Sequence, residues 1–157
     1  GTVPKGKHLV VEIKCGEEIL PYLEKVVAKT KKRDRIVFIG FGWDVIRRCK
    51  DMMPDIPAYW LCTVDMSDST SGPALRSGNV VMPLGEALDA VKRAHLDGVD
   101  IGHNGMDAAM AAAARERGLG VLVWTVNDPS RARELAGMGV LGITTDRPDL
   151  IRGALEK

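Results

Sequence analysis

The sequence predicts an α/β fold built on a parallel sheet, and three observations support this prediction. Short runs of apolar, often β-branched residues alternate along the chain with longer stretches of helical, amphipathic pattern. Most of the apolar runs are nearly continuous, which is typical of parallel strands that are covered on both faces. Acidic residues, prolines and glycines stand where the helical stretches should begin and end. This alternation indicates repeated β/α units.

Six such units follow one another along the 157 residues. The predicted strands cover residues 8–14, 35–41, 58–63, 98–102, 121–127 and 140–144. The predicted helices cover residues 17–32, 43–53, 84–96, 105–118, 129–138 and 147 to the end. Periodicity alone does not decide between an open doubly wound sheet and a TIM-type (β/α) barrel. A complete barrel needs eight units and about 250 residues, so a barrel made from this chain would be incomplete by two units.

Local signals mark several helix ends. Asp128 followed by Pro129, and Asp146 followed by Pro148, have the order of a capping carboxylate and a first-turn proline. We therefore predict a helix start at each place, with the aspartate as the default cap. Gly118 stands where a helix should stop.

The stretch from 64 to 83 shows no period and is rich in Ser, Asp, Gly and Pro, so we predict a long irregular loop. A loop of this length in a compact domain is usually functional or disordered. Because it follows a strand, a barrel would place it on the catalytic face. Gly40-Phe41-Gly42 lacks the third glycine of a dinucleotide fingerprint and predicts a tight turn from strand to helix.

Composition argues against two classes of partner. The formal net charge is +1, so nothing indicates a nucleic-acid surface. No apolar stretch approaches the roughly 20 residues that are needed to span a bilayer. The cysteines Cys15, Cys49 and Cys62 have no metal-type spacing, and we predict buried, reduced thiols in a cytoplasmic protein.

Two charged residues end the first predicted strand. Glu12 and Lys14 share one face of the strand, because side chains alternate with a period of two. They lie at its carboxyl end, where parallel α/β folds usually carry their chemistry. Two interpretations stay open. The residues form an internal ion pair at the barrel mouth, or Glu12 binds a hard divalent cation while Lys14 holds an anion such as phosphate.

Other candidates are weaker when taken alone. Trp124 comes late in a predicted strand, where a tryptophan is more often part of the core than of a ligand site. His103 follows a strand on the catalytic side and is a minor candidate for ligand contact. His8 and His95 are interpreted as structural and surface residues.

Three segments, in this order, resemble the glycerophosphodiester phosphodiesterase family. Leu9-Val-Val-Glu-Ile-Lys14 is similar to the family's Glu-Ile-Lys strand, and Val121-Leu-Val-Trp-Thr-Val-Asn127 is close to its Val-x-x-Trp-Thr-Val-Asn strand. Gly139-Val-Leu-Gly-Ile-Thr-Thr-Asp-Arg-Pro148 resembles its closing Gly-Val-Asp-x-Ile-x-Thr-Asp-x-Pro. Ile36-Val-Phe-Ile-Gly-Phe41 resembles a strand with a Ser-Phe pair, with glycine in place of serine. The match extends over essentially the whole chain, so we expect residues 1–157 to form one partial barrel domain.

The resemblance implies hydrolysis of a small-molecule glycerophosphodiester to an alcohol and glycerol 3-phosphate, assisted by a divalent metal, Mg²⁺ or Ca²⁺. Glu12 matches a metal-binding glutamate of the family. Lys14 matches a lysine near the phosphate, which implies a catalytic and substrate-binding role. Trp124 matches the tryptophan that lines the substrate pocket, and Phe41 matches an aromatic pocket residue.

Parts of the family pattern have no counterpart in this chain. These are a His-Arg-Gly strand, a Glu-x-Asp strand and a second histidine, which supply the acid/base histidines and further metal carboxylates. We therefore expect this chain by itself to be inactive or strongly impaired. The alternative functions are a non-catalytic truncated barrel that binds phosphorylated ligands or a protein, and an unrelated phosphate-handling α/β enzyme. An open barrel exposes strand edges, so we also expect a homodimer through that edge.

Overall fold

A curved parallel sheet forms the inner layer of the computed structural model, which describes residues 3–67 and 72–156. The strands are β1 (Leu9–Glu12), β2 (Ile36–Gly40), β3 (Ala58–Asp65), β4 (Ala74–Ser77), β5 (Val80–Pro83), β6 (Gly98–Gly102), β7 (Gly120–Trp124) and β8 (Gly142–Ile143). Strands β1, β2, β3, β6, β7 and β8 pair in parallel in that order. The sheet curls as half a barrel, and the carboxyl ends of its six strands meet at one rim.

Six helices connect and follow the parallel strands. They are α1 (Leu20–Thr30), α2 (Trp43–Met52), α3 (Leu84–Arg93), α4 (Ala108–Glu116), α5 (Pro129–Gly137) and α6 (Pro148–Leu155). The 17–32 prediction was longer than α1, because residues 17–19 form a separate 3₁₀ turn and Lys31 adopts a left-handed backbone with φ 52°. In the part of the chain that the structure describes, no helix combines the length and the apolarity that crossing a membrane requires.

The predicted series of six β/α units is confirmed, and the strand order distinguishes between the two closures. A doubly wound sheet reverses its order at a switch point. Here each parallel strand of the series lies beside the one before it, with no reversal from β1 to β8. The fold is therefore a parallel (β/α) barrel of the TIM type that lacks two units, as the sequence predicted.

A single apolar core lies under the helices. Its largest fully buried side chains include Trp60 and Phe38. Cys49 and Cys62 belong to this core, and burial raises the pKa of Cys49 to about 12. Cys15 is exposed, so the prediction of buried thiols is wrong for this residue, which lies just beyond the strand rather than within it.

The prediction of an irregular loop over 64–83 is wrong for its second half. Residues 74–77 and 80–83 form the antiparallel hairpin β4–β5, and β4 also pairs with an extension of β3. The turn is Gly78-Asn79, with φ +57° at Gly78, which is a two-residue hairpin signal that the sequence contained. Leu75 is fully buried and anchors the hairpin on the core. Residues 68–71 of the predicted loop lie outside the described residues.

One of the two predicted helix caps is confirmed and one is wrong. Asp128 caps α5, since its Oδ1 accepts a hydrogen bond from the backbone N–H of Arg131 at 2.7 Å. Asp146 does not cap α6. Its Oδ2 instead accepts a hydrogen bond from Asn127 Nδ2 at 2.8 Å, and its N–H donates to Asn127 Oδ1 at 2.9 Å. This pair joins the loop after β7 to the loop after β8, which a sequence pattern cannot show.

Candidate active site

The four residues to which the family resemblance assigns site roles border one cavity of about 270 Å³ at the carboxyl ends of the strands. Glu12 and Lys14 come from the end of β1, Phe41 from the end of β2, and Trp124 from the end of β7. The remaining lining residues are Ile39, Leu61, Asp100, Thr125 and Thr144. The cavity therefore combines charged groups, hydroxyls and aromatic walls.

Glu12 and Lys14 form an ion pair in which Lys14 Nζ lies 3.3 Å from Glu12 Oε2. The Lys14 side chain is 75 % exposed and the Glu12 side chain 31 % exposed. The pair thus lies at the rim of the cavity and is not an internal ion pair. An exposed pair contributes at most about 1 kcal/mol to stability, so the two groups are available to rearrange around a ligand.

Phe41 and Trp124 pack edge to face across the cavity, with ring centroids 5.7 Å apart and an interplanar angle of 84°. The backbone at Phe41 is fixed, because its carbonyl oxygen accepts hydrogen bonds from Trp60 Nε1 at 3.1 Å and Ser77 Oγ at 2.6 Å. Ser77 belongs to β4, so the β4–β5 hairpin supports an aromatic residue of the site. The Trp124 indole N–H donates to the carbonyl oxygen of Asp100 at 3.0 Å, which fixes the second ring.

Asp100 is the site residue that sequence reasoning missed. It lies in the middle of β6, is only 2 % exposed, and lines the same cavity. Its Oδ1 has no hydrogen-bond partner among the residues that the structure describes. Burial, together with the negative charge of Glu12, raises the pKa of Asp100 to about 7. The sequence signal that could have identified Asp100 is its position as the single carboxylate within an otherwise uncharged strand.

His103 borders a second, adjoining cavity of about 410 Å³. Trp124 and Thr125 line both cavities, so the indole ring stands between them. Arg131 holds the backbone beyond β6 by donating to the carbonyl oxygens of His103 at 2.8 Å and Met106 at 2.7 Å. His103 is half-buried there, and contact between its ring and a ligand stays a prediction.

The carboxylates of the main cavity suit a hard divalent cation in kind but not in number. Glu12 and Asp100 offer the oxygen ligands that Mg²⁺ and Ca²⁺ prefer. Across residues 3–67 and 72–156 there is no group of three or more His, Cys, Asp or Glu side chains that could hold a metal ion. Since these cations take six or more oxygen ligands, the described residues supply only part of a coordination shell.

Comparison with known proteins gives a consistent result. The sequence profile of the glycerophosphoryl diester phosphodiesterase family matches residues 4–150. The structure is similar to a glycerophosphoryl diester phosphodiesterase-family protein from Silicibacter pomeroyi DSS-3, with a TM-score of 0.77 and 25 % identity over 95 % of this chain and 50 % of that one. It is also similar to an Oleispira antarctica phosphodiesterase solved in complex with the product sn-glycerol-3-phosphate, with a TM-score of 0.70 and 19 % identity over 96 % of this chain and 56 % of that one.

Among curated proteins, a stretch of 53 residues is 42 % identical to YhdW of Bacillus subtilis (strain 168), a glycerophosphodiester phosphodiesterase by name. That stretch is 34 % of this chain and 22 % of YhdW. The chain thus spans about half the length of the solved relatives, and its match to YhdW spans about a fifth of that protein.

Proposed function

Because the chain belongs to the glycerophosphoryl diester phosphodiesterase family, we propose that it carries part of an active site for hydrolysis of glycerophosphodiesters to an alcohol and sn-glycerol 3-phosphate. The observation that supports this most directly is the convergence of Glu12, Lys14, Phe41 and Trp124 on one cavity. These residues come from three different strands, so their meeting is not a consequence of sequence proximity. The product bound to the Oleispira antarctica phosphodiesterase is the same glycerol phosphate.

Lys14 is the proposed phosphate-binding and catalytic cation. Its ammonium group lies at the cavity rim, paired with Glu12 and still largely exposed. An anionic phosphate that enters the cavity mouth can take the place of the Glu12 carboxylate beside it. In the transition state, the lysine would stabilise the charge that develops on the phosphoryl oxygens.

Glu12 is the proposed ligand of a divalent cation, Mg²⁺ or Ca²⁺. When bound, such a cation would neutralise charge on the phosphoryl oxygens. The described residues supply only part of a coordination shell, so phosphate and water would provide other oxygen ligands. Phe41 and Trp124 would form the apolar walls that orient the carbon skeleton of the substrate.

Hydrolysis of glycerophosphocholine tests this proposal. The release of sn-glycerol 3-phosphate is measured with Mg²⁺, with Ca²⁺ and with EDTA, for the wild-type chain and for Glu12→Ala and Lys14→Ala. We expect cation-dependent release that falls at least about 100-fold in either variant, as expected for loss of one group that stabilises the transition state. We expect a low rate from the wild type, since each missing acid/base group costs about 10² to 10⁴.

Glu116→Ala is the matched control, because Glu116 is an exposed carboxylate at the end of α4, outside the cavity. Its rate should equal that of the wild type. Binding of inorganic phosphate without turnover under any cation would contradict the catalytic proposal for this chain and favour a phosphate-binding module.

We also propose that the chain pairs with a second copy of itself through the open edge of the half barrel. In the described part of the chain, β1 pairs only with β2 and β8 only with β7. Leu9 and Val10 on β1 and Leu141 before β8 are exposed. Unpaired strand edges with exposed apolar side chains favour association.

Sedimentation velocity at increasing protein concentration tests this association. We expect a growing dimer fraction in the wild type, reduced in Val10→Lys because a charged side chain on an edge strand opposes strand pairing. Val26→Lys is the control, since Val26 is an equally exposed valine on α1. A monomer at every concentration, or an equal effect of both variants, would exclude the β1 edge as the interface.

The free thiols indicate the redox state of the compartment in which the protein works. All three cysteines lie in the described part of the chain, and none of them is in a disulfide. Free thiols are typical of a reducing compartment, so we propose a cytoplasmic location.

A further inference from the structure

Asp100 forms the floor of the active-site cavity, and one of its carboxylate oxygens has no hydrogen-bond donor among the described residues. The residue is 2 % exposed, and its Oδ1 lacks a hydrogen-bond donor among the residues that the structure describes. A buried polar atom without a partner costs about 1–3 kcal/mol. A group that is retained at such a cost within a ligand-sized cavity points to a ligand that supplies the missing donor.

The strand around Asp100 leaves room for such a ligand. Side chains alternate along β6, so Gly98, Asp100 and Gly102 share the inner face while Val99 and Ile101 belong to the helix-covered core. The Trp124 ring packs over Gly102, since a side-chain carbon built there would lie 3.6 Å from the ring, at ordinary van der Waals distance. Asp100 is thus the only residue of β6 that presents a functional group to the cavity.

The order of charges from rim to floor determines how a phosphorylated ligand can enter. Lys14, at 75 % exposure, lies at the rim, Glu12 lies deeper at 31 %, and Asp100 lies at the bottom. A phosphate is attracted by the lysine and repelled by the buried carboxylate, because like charges repel strongly where water is excluded. The phosphate therefore belongs at the rim, and the part of the ligand that reaches Asp100 must be a hydrogen-bond donor without negative charge.

Hydroxyl groups fit the floor better than a cationic head group. A quaternary ammonium carries no N–H or O–H and would leave Oδ1 without a hydrogen bond. A hydroxyl donates to Oδ1, and the neighbouring hydroxyls of Thr125 and Thr144 extend the polar surface. A cavity of about 270 Å³ is also small, just below the usual range of about 300–1,000 Å³ for ligand pockets, which suits a three-carbon polyol phosphate.

We infer that Asp100 binds the free hydroxyl groups of the glycerol moiety and thereby selects glycerol phosphates over other phosphates at this site. The inference rests on the proposed function, since it assumes that the phosphate binds beside Lys14. It makes the glycerol end the buried end of the substrate and directs the other alcohol toward the cavity mouth and solvent. Asp100 is then a specificity-determining residue that lies outside the three segments that resemble the family.

Ligand titrations in the presence of Mg²⁺ test the inference, with the Trp124 indole N–H resonance as the reporter of the cavity. The resonance is assigned with Trp124→Phe. The ligands are sn-glycerol 3-phosphate, inorganic phosphate and phosphocholine, at about pH 8, above the pKa of Asp100. In the wild type we expect glycerol 3-phosphate to bind about 10- to 100-fold more tightly than phosphate, the effect of a hydrogen bond to a charged group.

Asp100→Ala should bind glycerol 3-phosphate and inorganic phosphate about equally. Its affinity for inorganic phosphate should be equal to or higher than that of the wild type, because the repulsion by the carboxylate is removed. Asp100→Asn should keep part of the preference, because its amide oxygen still accepts a hydrogen bond. Asp51→Ala is the control variant, since Asp51 is an exposed carboxylate on α2 that does not line the cavity. It should keep the full preference.

The other outcomes are distinguishable. Equal weakening of both ligands in Asp100→Ala, together with a lower affinity for Mg²⁺, would overturn the inference and make Asp100 a cation ligand. Tight binding of phosphocholine that depends on Asp100 would overturn it in favour of a cationic head group. Phosphate binding without any preference for glycerol 3-phosphate in the wild type overturns the inference and leaves the proposed function standing. Binding of neither ligand overturns both.

Discussion

Gly98→Ala is expected to lower the free energy of unfolding by at least about 3 kcal/mol, or to prevent folding. Gly98 begins β6, which lies between β3 and β7 in the sheet. A Cβ atom there would lie 1.9 Å from the carbonyl oxygen of Gly120 and 2.7 Å from its carbonyl carbon. Both atoms belong to the backbone of β7, so the clash can be relieved only by separating two paired strands.

Urea unfolding, monitored by far-UV circular dichroism, measures this effect. Gly153→Ala is the matched control, because Gly153 lies on the exposed side of α6 and no atom would contact its Cβ within 4 Å. The control should be stabilised by roughly 0.5–1 kcal/mol, the difference in helix propensity between alanine and glycine. A Gly98→Ala chain as stable as the wild type would show that β6 and β7 are not packed this closely.

Asp100→Asn is expected to raise the free energy of unfolding by about 2–4 kcal/mol near pH 8, measured in EDTA so that no cation binds. The reason is the pKa of Asp100, which burial and the charge of Glu12 raise to about 7 in the folded chain. In the unfolded chain the same carboxyl ionises near pH 3.9, about its ordinary value. The difference between these two pKa values corresponds to roughly 4 kcal/mol of stability lost by the ionised wild type, and the cost of burying the amide reduces the gain in Asp100→Asn.

The direction of the pH dependence follows from proton binding. Between about pH 4 and pH 7 the folded chain holds a proton on Asp100 that the unfolded chain has released. Rising pH therefore favours unfolding across this window. The stabilisation that comes from the proton on Asp100 is fully lost above about pH 7. Urea unfolding at a series of pH values should show stability that falls from pH 4 to pH 7 in the wild type and falls less in Asp100→Asn.

Asp51→Asn provides the control, since it removes the same charge from an exposed position on α2. Its stability should follow the wild-type pH profile. If Asp100→Asn destabilises the chain near pH 8 instead, then the ionised carboxylate is held by favourable contacts in the folded state. Stabilisation by Asp100→Asn would mean that this residue is kept at a cost in stability, as is common for functional groups.

The elements of the fold were largely predictable because their signals are local. A buried parallel strand needs a short, continuous apolar run, and a helix start needs a capping group, as at Asp128 before α5. The hairpin β4–β5 is also encoded locally by Gly78-Asn79, but the Ser-, Asp-, Gly- and Pro-rich composition around it is equally typical of an irregular loop. The prediction that Asp146 caps α6 is wrong for a different reason, which is that its hydrogen-bond partner is not local. Its preferred partner, Asn127, is 19 positions away along the chain.

The candidate site was predictable in part. Glu12, Lys14, Phe41 and Trp124 belong to recognisable motifs and follow strand ends, where parallel α/β folds place their chemistry. Asp100 belongs to no quoted motif, and its importance depends on burial, on the missing partner of Oδ1 and on the nearby charge of Glu12. None of these three properties exists until the strands are assembled.

The sequence by itself therefore determined the order of six β/α units, the rim at which the charged and aromatic residues gather, and the family. These depend on periodicity, caps and short motifs, which act over a few residues. Only the tertiary structure decided that the Glu12–Lys14 pair lies at an exposed rim, that the hairpin holds Phe41 through Ser77, and that a lone carboxylate forms the cavity floor. Those features depend on distances and dielectric surroundings between residues that are far apart in the chain, which the curvature of the sheet sets.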